Sequence, residues 1–335
     1  MKRLFCAALP LLPACILHAA APAPFVPPEI GRQADESILA APDSAYTFRT
    51  LELPSADGLR HYRVFVGIPR AKPPQGGFSV WYALDGNALL EYLTPENLRR
   101  LAEDDPPVLV LVGYATGLRF DTAARAYDYT PPDKQGRILP DTLHPARSNG
   151  GAPGFLALLT GEIRRQAEQG VPINDKRRTL WGHSYGGVFV LYALSANPAS
   201  FDRYIAADPS LWLHKGLILQ YTENIPPQAW GKTLLIQKSG RRDEKQPANP
   251  QQAAQLAERE KTVASVPPHA AERLAGQLRR RGLKVQYRFF ADLTHGQLLA
   301  ASFGQLLARG ATPCAKAQGC ASDTPPKGAI STVKE

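Results

Sequence analysis

Ser184 lies in Gly182-His183-Ser184-Tyr185-Gly186, a G-x-S-x-G pattern that Gly187 extends. A serine hydroxyl is a weak nucleophile at neutral pH. It reacts where a base takes its proton and fixed donors receive the charge that develops on the substrate. The pattern serves that chemistry when an apolar strand runs into it and an apolar helix runs out, because the chain then turns sharply and leaves the serine strained at the top of a sheet. "RRTLW" precedes Gly182 and "VFVLYAL" follows Gly187, so the flanks fit. Glycine two places either side lets neighbouring chain approach without a Cβ clash. A helix that begins here also aims free N–H groups at a developing oxyanion. The plainer alternative is a glycine-rich strand-to-helix turn with no activity.

The serine needs a base. His18 lies in the N-terminal apolar run, and His183 sits inside the turn with its ring expected to point away from the reacting face. His61, His144, His214 and His269 lack a strand-end setting. His295 follows the last buried run in "FFADLTHGQ" and precedes a helix, so the chain order serine, acid, histidine makes it the base. The acid is expected after the strand between them, where "LLIQKSGRRDE" offers Asp243, with Glu244 as alternate. Asp292 is nearer in sequence but reads as a loop or cap residue, and the arginines around Asp243 suit a solvated turn equally well. The oxyanion donors are expected to be the backbone N–H of Tyr185 and that of Asn87 in "LDGNALL", with Gly86 as alternate.

These residues need a frame that holds them. "YTFRTLELPSADGLRHYRVFVGIP" gives two β-rich runs around Asp57-Gly58, a hairpin signal. "FSVWYALDG", "PPVLVLVGY", "RRTLWGH", "RYIAAD", "KTLLIQKSG" and "KVQYRFFAD" read as further strands, several apolar enough to be buried on both faces. Helical stretches lie between them: one running through Leu101, "GAPGFLALLTGEIRRQAEQ", "SYGGVFVLYALSANP", residues 248–281 broken at Pro267-Pro268, and "GQLLAASFGQLLARG". Alternating strands and helices predict an α/β fold with a mostly parallel sheet and an antiparallel hairpin at its start. Ligands of such sheets bind beyond the carboxyl ends of the strands. Residues 115–153, polar and rich in Gly, Pro and Asp, read as a long irregular functional loop.

The ends carry different information. "MKRLFCAALPLLPACILHAAAPAP" has a basic pair, an apolar run and then small residues, the order of a secretory signal peptide over residues 1–21, cleaved near Ala20 or Ala21. "LPAC" offers a second outcome, a lipoprotein anchored through Cys15. Residues 22–45 read as an extended arm, 46–310 as the catalytic domain and 311–335 as a polar tail. Cys314 and Cys320 are close enough in the tail to bridge a small loop in an oxidising compartment. The formal charge of +9, or +7 without Lys2 and Arg3, comes from scattered residues, which argues against a nucleic-acid partner.

"WYALDGNALL", "LVGYATGLRFDTAARAYDYTPP", "GGAPGFLALLTGEI", "RRTLWGHSYGGVFVLYAL", "DPSLWL" and "THGQLLAASF" occur in an order that resembles the esterase branch of the α/β-hydrolases, over roughly residues 46–310. Within that branch the chain is most similar to the periplasmic esterases of trilactone siderophores such as enterobactin and salmochelin. The resemblance implies a serine esterase with no cofactor and no metal, whose partner is a small siderophore ester, with or without iron. It puts Ser184 and His295 on the nucleophile and base, and includes members with a Ser–His dyad and no strong acid. Where that group has a serine before "PSLWW", this chain has Asp208, and Leu213 replaces the second tryptophan, so the substrate-facing wall is expected to differ. Arg119 and Arg125 are candidates to meet an anionic catecholate, with Tyr127, Tyr129 and Trp212 as aromatic walls. Arg119, Arg125 and Asp128 forming an internal loop network is an equal alternative. A broader aryl or feruloyl esterase, an acyltransferase and an inactive siderophore-binding protein remain as rival functions.

Overall fold

The computed structural model of the chain describes residues 31–242 and 246–309. The expected signal segment, Cys15, Asp243, Glu244, Cys314 and Cys320 lie outside the described residues. The strands are β1 (Tyr46–Pro54), β2 (His61–Pro69), β3 (Phe78–Leu84), β4 (Val108–Tyr114), β5 (Leu139–Pro140), β6 (Ser148–Asn149), β7 (Ile173–His183), β8 (Arg203–Ala207), β9 (Thr233–Ser239) and β10 (Lys284–Phe290). The helices are α1 (Gly86–Leu89), α2 (Pro95–Leu101), α3 (Thr122–Asp128), α4 (Ala152–Leu158), α5 (Arg164–Glu168), α6 (Tyr185–Ala196), α7 (Leu217–Thr222), α8 (Pro250–Val263), α9 (Ala270–Arg280) and α10 (His295–Arg309).

β1 and β2 form the expected antiparallel hairpin, and Gly58 takes a φ of +72° in its turn. β2 pairs antiparallel with β4, and every pairing from β4 to β10 is parallel, in the order β1-β2-β4-β3-β7-β8-β9-β10. Period-two alternation divides the strand side chains between two apolar layers. Val80, Tyr82 and Leu84 of β3 face the layer under α6, while Trp81 and Ala83 face the layer that α10 closes with Leu299, Phe303 and Leu306. Such double burial is why these strands read as nearly continuous apolar runs. α6 is buried along its whole apolar length, from Tyr185 to Leu194, so its position beneath the sheet's top is tightly held.

Two expectations need correction. The arm before β1 is not simply extended: Ser37–Ala40 form a 3-10 turn that buries Ile38, and Gln33 bridges to Leu118. The 115–153 stretch is not irregular throughout. Asp121 caps α3 by accepting from the N–H groups of Ala123 and Ala124, and β5 and β6 pair as a short ribbon. The helix expected from Gly151 onward is present, but α4 and α5 are joined through a π turn at Leu159–Ile163. The break at Pro267-Pro268 separates α8 from α9 as expected.

Candidate active site

β7 ends at His183, and Ser184 takes φ +61° and ψ −116° before α6 begins at Tyr185. A non-glycine residue there carries strain, which the surrounding packing must hold. Gly182 makes the crossing possible. A Cβ on it would stand 2.5 Å from the Gly186 carbonyl carbon, so strand and helix backbones touch at this point. Gly187 is also tight, with Pro209 Cα 3.0 Å from its would-be Cβ. Gly186 itself would meet only ordinary contacts, near 3.6 Å.

Ser184 Oγ lies 3.0 Å from His295 Nε2, and His295 Nδ1 lies 2.9 Å from Asp208 Oδ2. The backbone ties the pieces together: Ser184 N–H donates to Ala207 O at 3.0 Å, and Asp208 N–H to Gln237 O at 2.9 Å. His295, the first residue of α10, is 31% exposed at its side chain whereas Asp208 is 1% exposed. A partly exposed imidazole is thus held by a carboxylate sealed beneath it, an arrangement in which an imidazole can take and return a proton.

The acid corrects the sequence reading. The partner of His295 Nδ1 is Asp208, which follows β8 rather than β9 and takes φ +43°, whereas Asp243, expected in that place, lies outside the described residues. Burial raises its pKa, but the hydrogen bond and charge of His295 and the ammonium of Lys238 outweigh this, and the carboxyl is held below its usual range. Lys238 Nζ donates to Oδ1 at 2.7 Å and Ser239 Oγ–H donates to Oδ2. The signal was the end of "RYIAAD", a carboxylate closing a short apolar strand. Sequence alone ties that aspartate to the substrate wall, because its imidazole partner is distant in the chain.

His183 also differs from expectation. Its ring packs against that of His295, with centroids 4.6 Å apart and the planes tilted by 40°. Its Nε2 lies 2.9 Å from the His295 carbonyl oxygen, which can only accept, so Nε2 carries the hydrogen. Burial, then the neighbouring His295, pushes its pKa well below the ordinary histidine value, so it remains a neutral donor to the His295 carbonyl.

The loop after β3 is fixed from both sides. Asp85 takes φ +60°, and Arg125 grips its carboxylate with Nε and Nη2, both at 2.8 Å. The Asn87 side chain clamps Tyr114, accepting from its N–H at 3.0 Å and donating to its carbonyl at 2.9 Å. Gly113 leaves the space that the Asn87 amide fills. Gly86 and Asn87 therefore start α1 from a rigid base. Tyr185 is the first residue of α6, so its N–H has no acceptor within the helix.

The residues expected to touch substrate divide. Arg119 is 7% exposed and pairs with Glu91, and Arg125 is committed to Asp85, so neither guanidinium is presented to a ligand. Tyr129 is fully buried, and its hydroxyl accepts from Asp85 N–H at 3.2 Å. Together with Asp128, held by Arg60, Tyr62 and Tyr114, these form the internal loop network. Arg60 lies over the Tyr127 ring at 4.5 Å. Trp212 is half-buried beside the nucleophile's neighbour, its ring 6.2 Å from that of Tyr185, and remains a candidate wall.

Residues 55–286 match the family described as "Putative esterase". The chain is 36% identical over 263 residues to the apo-salmochelin esterase of Escherichia coli O6:H1 (strain CFT073), covering 78% of each protein. Among solved structures, the enterobactin and salmochelin hydrolase IroE is 34% identical, with a TM-score of 0.60 over 79% of this chain and 94% of that one. The siderophore hydrolase EstA from Aspergillus nidulans is 25% identical, with a TM-score of 0.64 over 78% of this chain and 92% of that one. The family match across more than half of its length, with a relative 36% identical over 78% of both proteins, places this chain in the "Putative esterase" family.

Proposed function

We propose that this chain is an exported serine esterase that hydrolyses the ester bonds of a catecholate trilactone siderophore. The observation that carries the reading is the line from Ser184 Oγ through His295 to Asp208, with contacts of 3.0 and 2.9 Å. The substrate class is supported by the siderophore esters named for its relatives, and export by the order of charges and apolar residues at the N-terminus. In this reading Ser184 attacks an ester carbonyl and His295 takes its proton. The backbone N–H groups of Tyr185 and of Asn87, or Gly86 in its place, receive the oxyanion. His295 then gives the proton to the leaving alkoxide, and water, activated by the same imidazole, releases the acyl group. The complete acid–base line argues against an inactive binding protein, and Trp212 offers an aromatic wall for a catechol ring.

The test is turnover of an enterobactin-type trilactone, iron-free and ferric, beside p-nitrophenyl and feruloyl esters, with Ser184→Ala and His295→Ala as controls. The expected result is trilactone cleavage far faster than that of either simple ester, lost in both variants. Turnover of the simple esters alone would overturn the substrate assignment while leaving the nucleophile in place.

A further inference from the structure

We infer that Ser210 is a catalytic hydroxyl that donates a hydrogen bond to the nucleophile oxygen of Ser184. This rests on the reading of Ser184 as a nucleophile. Ser210 Oγ lies 3.2 Å from Ser184 Oγ, and Ser210 N–H reaches the Ser184 carbonyl at 3.3 Å, so side chain and backbone both tie it to the reacting residue. Ser210 is 2% exposed, and among the described residues its hydroxyl has no other hydrogen-bond partner. Buried polar groups are held by the hydrogen bonds they make, and this hydroxyl makes its bond to Ser184 Oγ.

Proton accounting fixes the direction. The Asp208 carboxylate accepts only, so His295 Nδ1 carries a hydrogen toward it. In the neutral imidazole Nε2 is then bare and accepts from Ser184 O–H. Ser184 has one hydrogen and it is used, so the remaining bond runs from Ser210 O–H to Ser184 Oγ.

That donor works only when charge is present. As the proton passes to His295 Nε2 ahead of full Oγ–carbon bonding, the O–H electron pair stays on Ser184 Oγ as partial negative charge before it moves through the new bond to the carbonyl oxygen, and a bond to a charged acceptor is about twice as strong as one to a neutral hydroxyl. In the acyl-enzyme Oγ is an ester oxygen and a poor acceptor. When water attacks and the tetrahedral intermediate collapses, Oγ leaves with the bonding pair, meets Ser210 O–H again and regains its proton from His295. The hydroxyl thus lowers both barriers more than it stabilises the resting state, which is the condition for catalysis.

The experiment measures the rate at which a p-nitrophenyl phosphonate modifies Ser184, a readout that needs no natural substrate. Ser210→Ala should lower this rate roughly ten- to hundred-fold, as loss of one hydrogen bond to a charged group does, with an unchanged thermal midpoint. In a His295→Ala background, where the proton no longer passes to the imidazole, adding Ser210→Ala should change the residual rate less than two-fold. A folded Ser210→Ala protein modified at the wild-type rate overturns the inference. So does full additivity of the two substitutions, since a packing defect adds where a shared proton-transfer step does not. If wild-type Ser184 resists the phosphonate altogether, the nucleophile reading itself fails, and this inference with it.

Discussion

Around the Asp208 carboxylate stand three donors, and their placement decides what the residue can be. Lys238 takes Oδ1, while His295 Nδ1 and Ser239 share Oδ2. An asparagine offers one acceptor oxygen and one NH2. With the oxygen turned to Lys238, the amide hydrogens face the imidazole and force it to carry its own hydrogen on Nε2, where it cannot receive the proton of Ser184. Asp208→Asn should therefore lower kcat by about 10³- to 10⁴-fold with little change in KM, the scale seen when a triad histidine is held in the wrong tautomer. Steady-state kinetics on a p-nitrophenyl ester measures it, and a loss smaller than ten-fold would mean that Ser184 and His295 suffice as a dyad. At this scale the sequence is informative where a residue is bound to local pattern. The meeting of Ser184 and His295, 3.0 Å apart, is legible because a sharp turn and a strand end announce both residues. Asp208 is not, because its role depends on an imidazole 87 residues away. Arg125 was visible as a candidate and ambiguous for the same reason: its partner, Asp85, is a neighbour only in the folded chain.

The nucleophile turn shows what a short element demands of its glycines. Gly182 has the Gly186 carbonyl carbon 2.5 Å from its would-be Cβ, and backbone cannot swing aside as a flexible side chain can. Gly186, equally prominent in the pattern, would place its methyl 3.6 Å from Leu84 and lies inside α6. Gly182→Ala should then abolish activity and lower the thermal midpoint by several degrees or prevent folding, the result expected of overpacking that costs about 1–3 kcal/mol or more. Gly186→Ala should leave stability within about 1 kcal/mol of wild type, or raise it, since alanine favours helix by about that amount. Thermal denaturation of the two variants separates the cases, and equal damage from both would show that the turn is not held by the Gly182 contact. The strands were legible through their apolar runs and the hairpin through Asp57-Gly58. The π turn between α4 and α5 was not, because one extra residue in a helical turn leaves composition and periodicity almost unchanged. α3 was hidden by the Gly, Pro and Asp of the segment around it, though its cap at Asp121 is an ordinary signal.

Across the whole molecule, the sheet brings residues at or just beyond the ends of β7, β8 and β10 together at its carboxyl end, and the internal ion network fixes the loops beside that end. Asp128 is central to this network: it is buried, accepts from Arg60 Nε at 3.0 Å, and receives the hydroxyls of Tyr62 and Tyr114. It thereby joins the hairpin, β4 and α3. Burial outweighs the help of Arg60 and the two tyrosines and pushes its pKa up to about 6, against an ordinary value of 3.8. The folded state therefore binds this proton more tightly than the unfolded chain does. Its contribution is fully present below pH 4 and is lost as the pH rises through 6. His144, His183 and His214, whose pKa values burial lowers, act in the opposite sense, since the unfolded chain takes up protons on them first as the pH falls through 6.5. The profile of the wild type alone mixes these effects, but a comparison with Asp128→Asn removes the histidines, which are common to both. The advantage of wild type over Asp128→Asn should be larger at pH 4 than at pH 7, by on the order of 1 to 3 kcal/mol for a shift of this size. Urea denaturation at pH 4, 5.5 and 7 measures it. A gap that widens as the pH rises would mean that Asp128 is held as a favourable buried anion, with Arg60 and the tyrosines overcoming its burial, and that the loops beside the site gain stability from ionisation rather than pay for it.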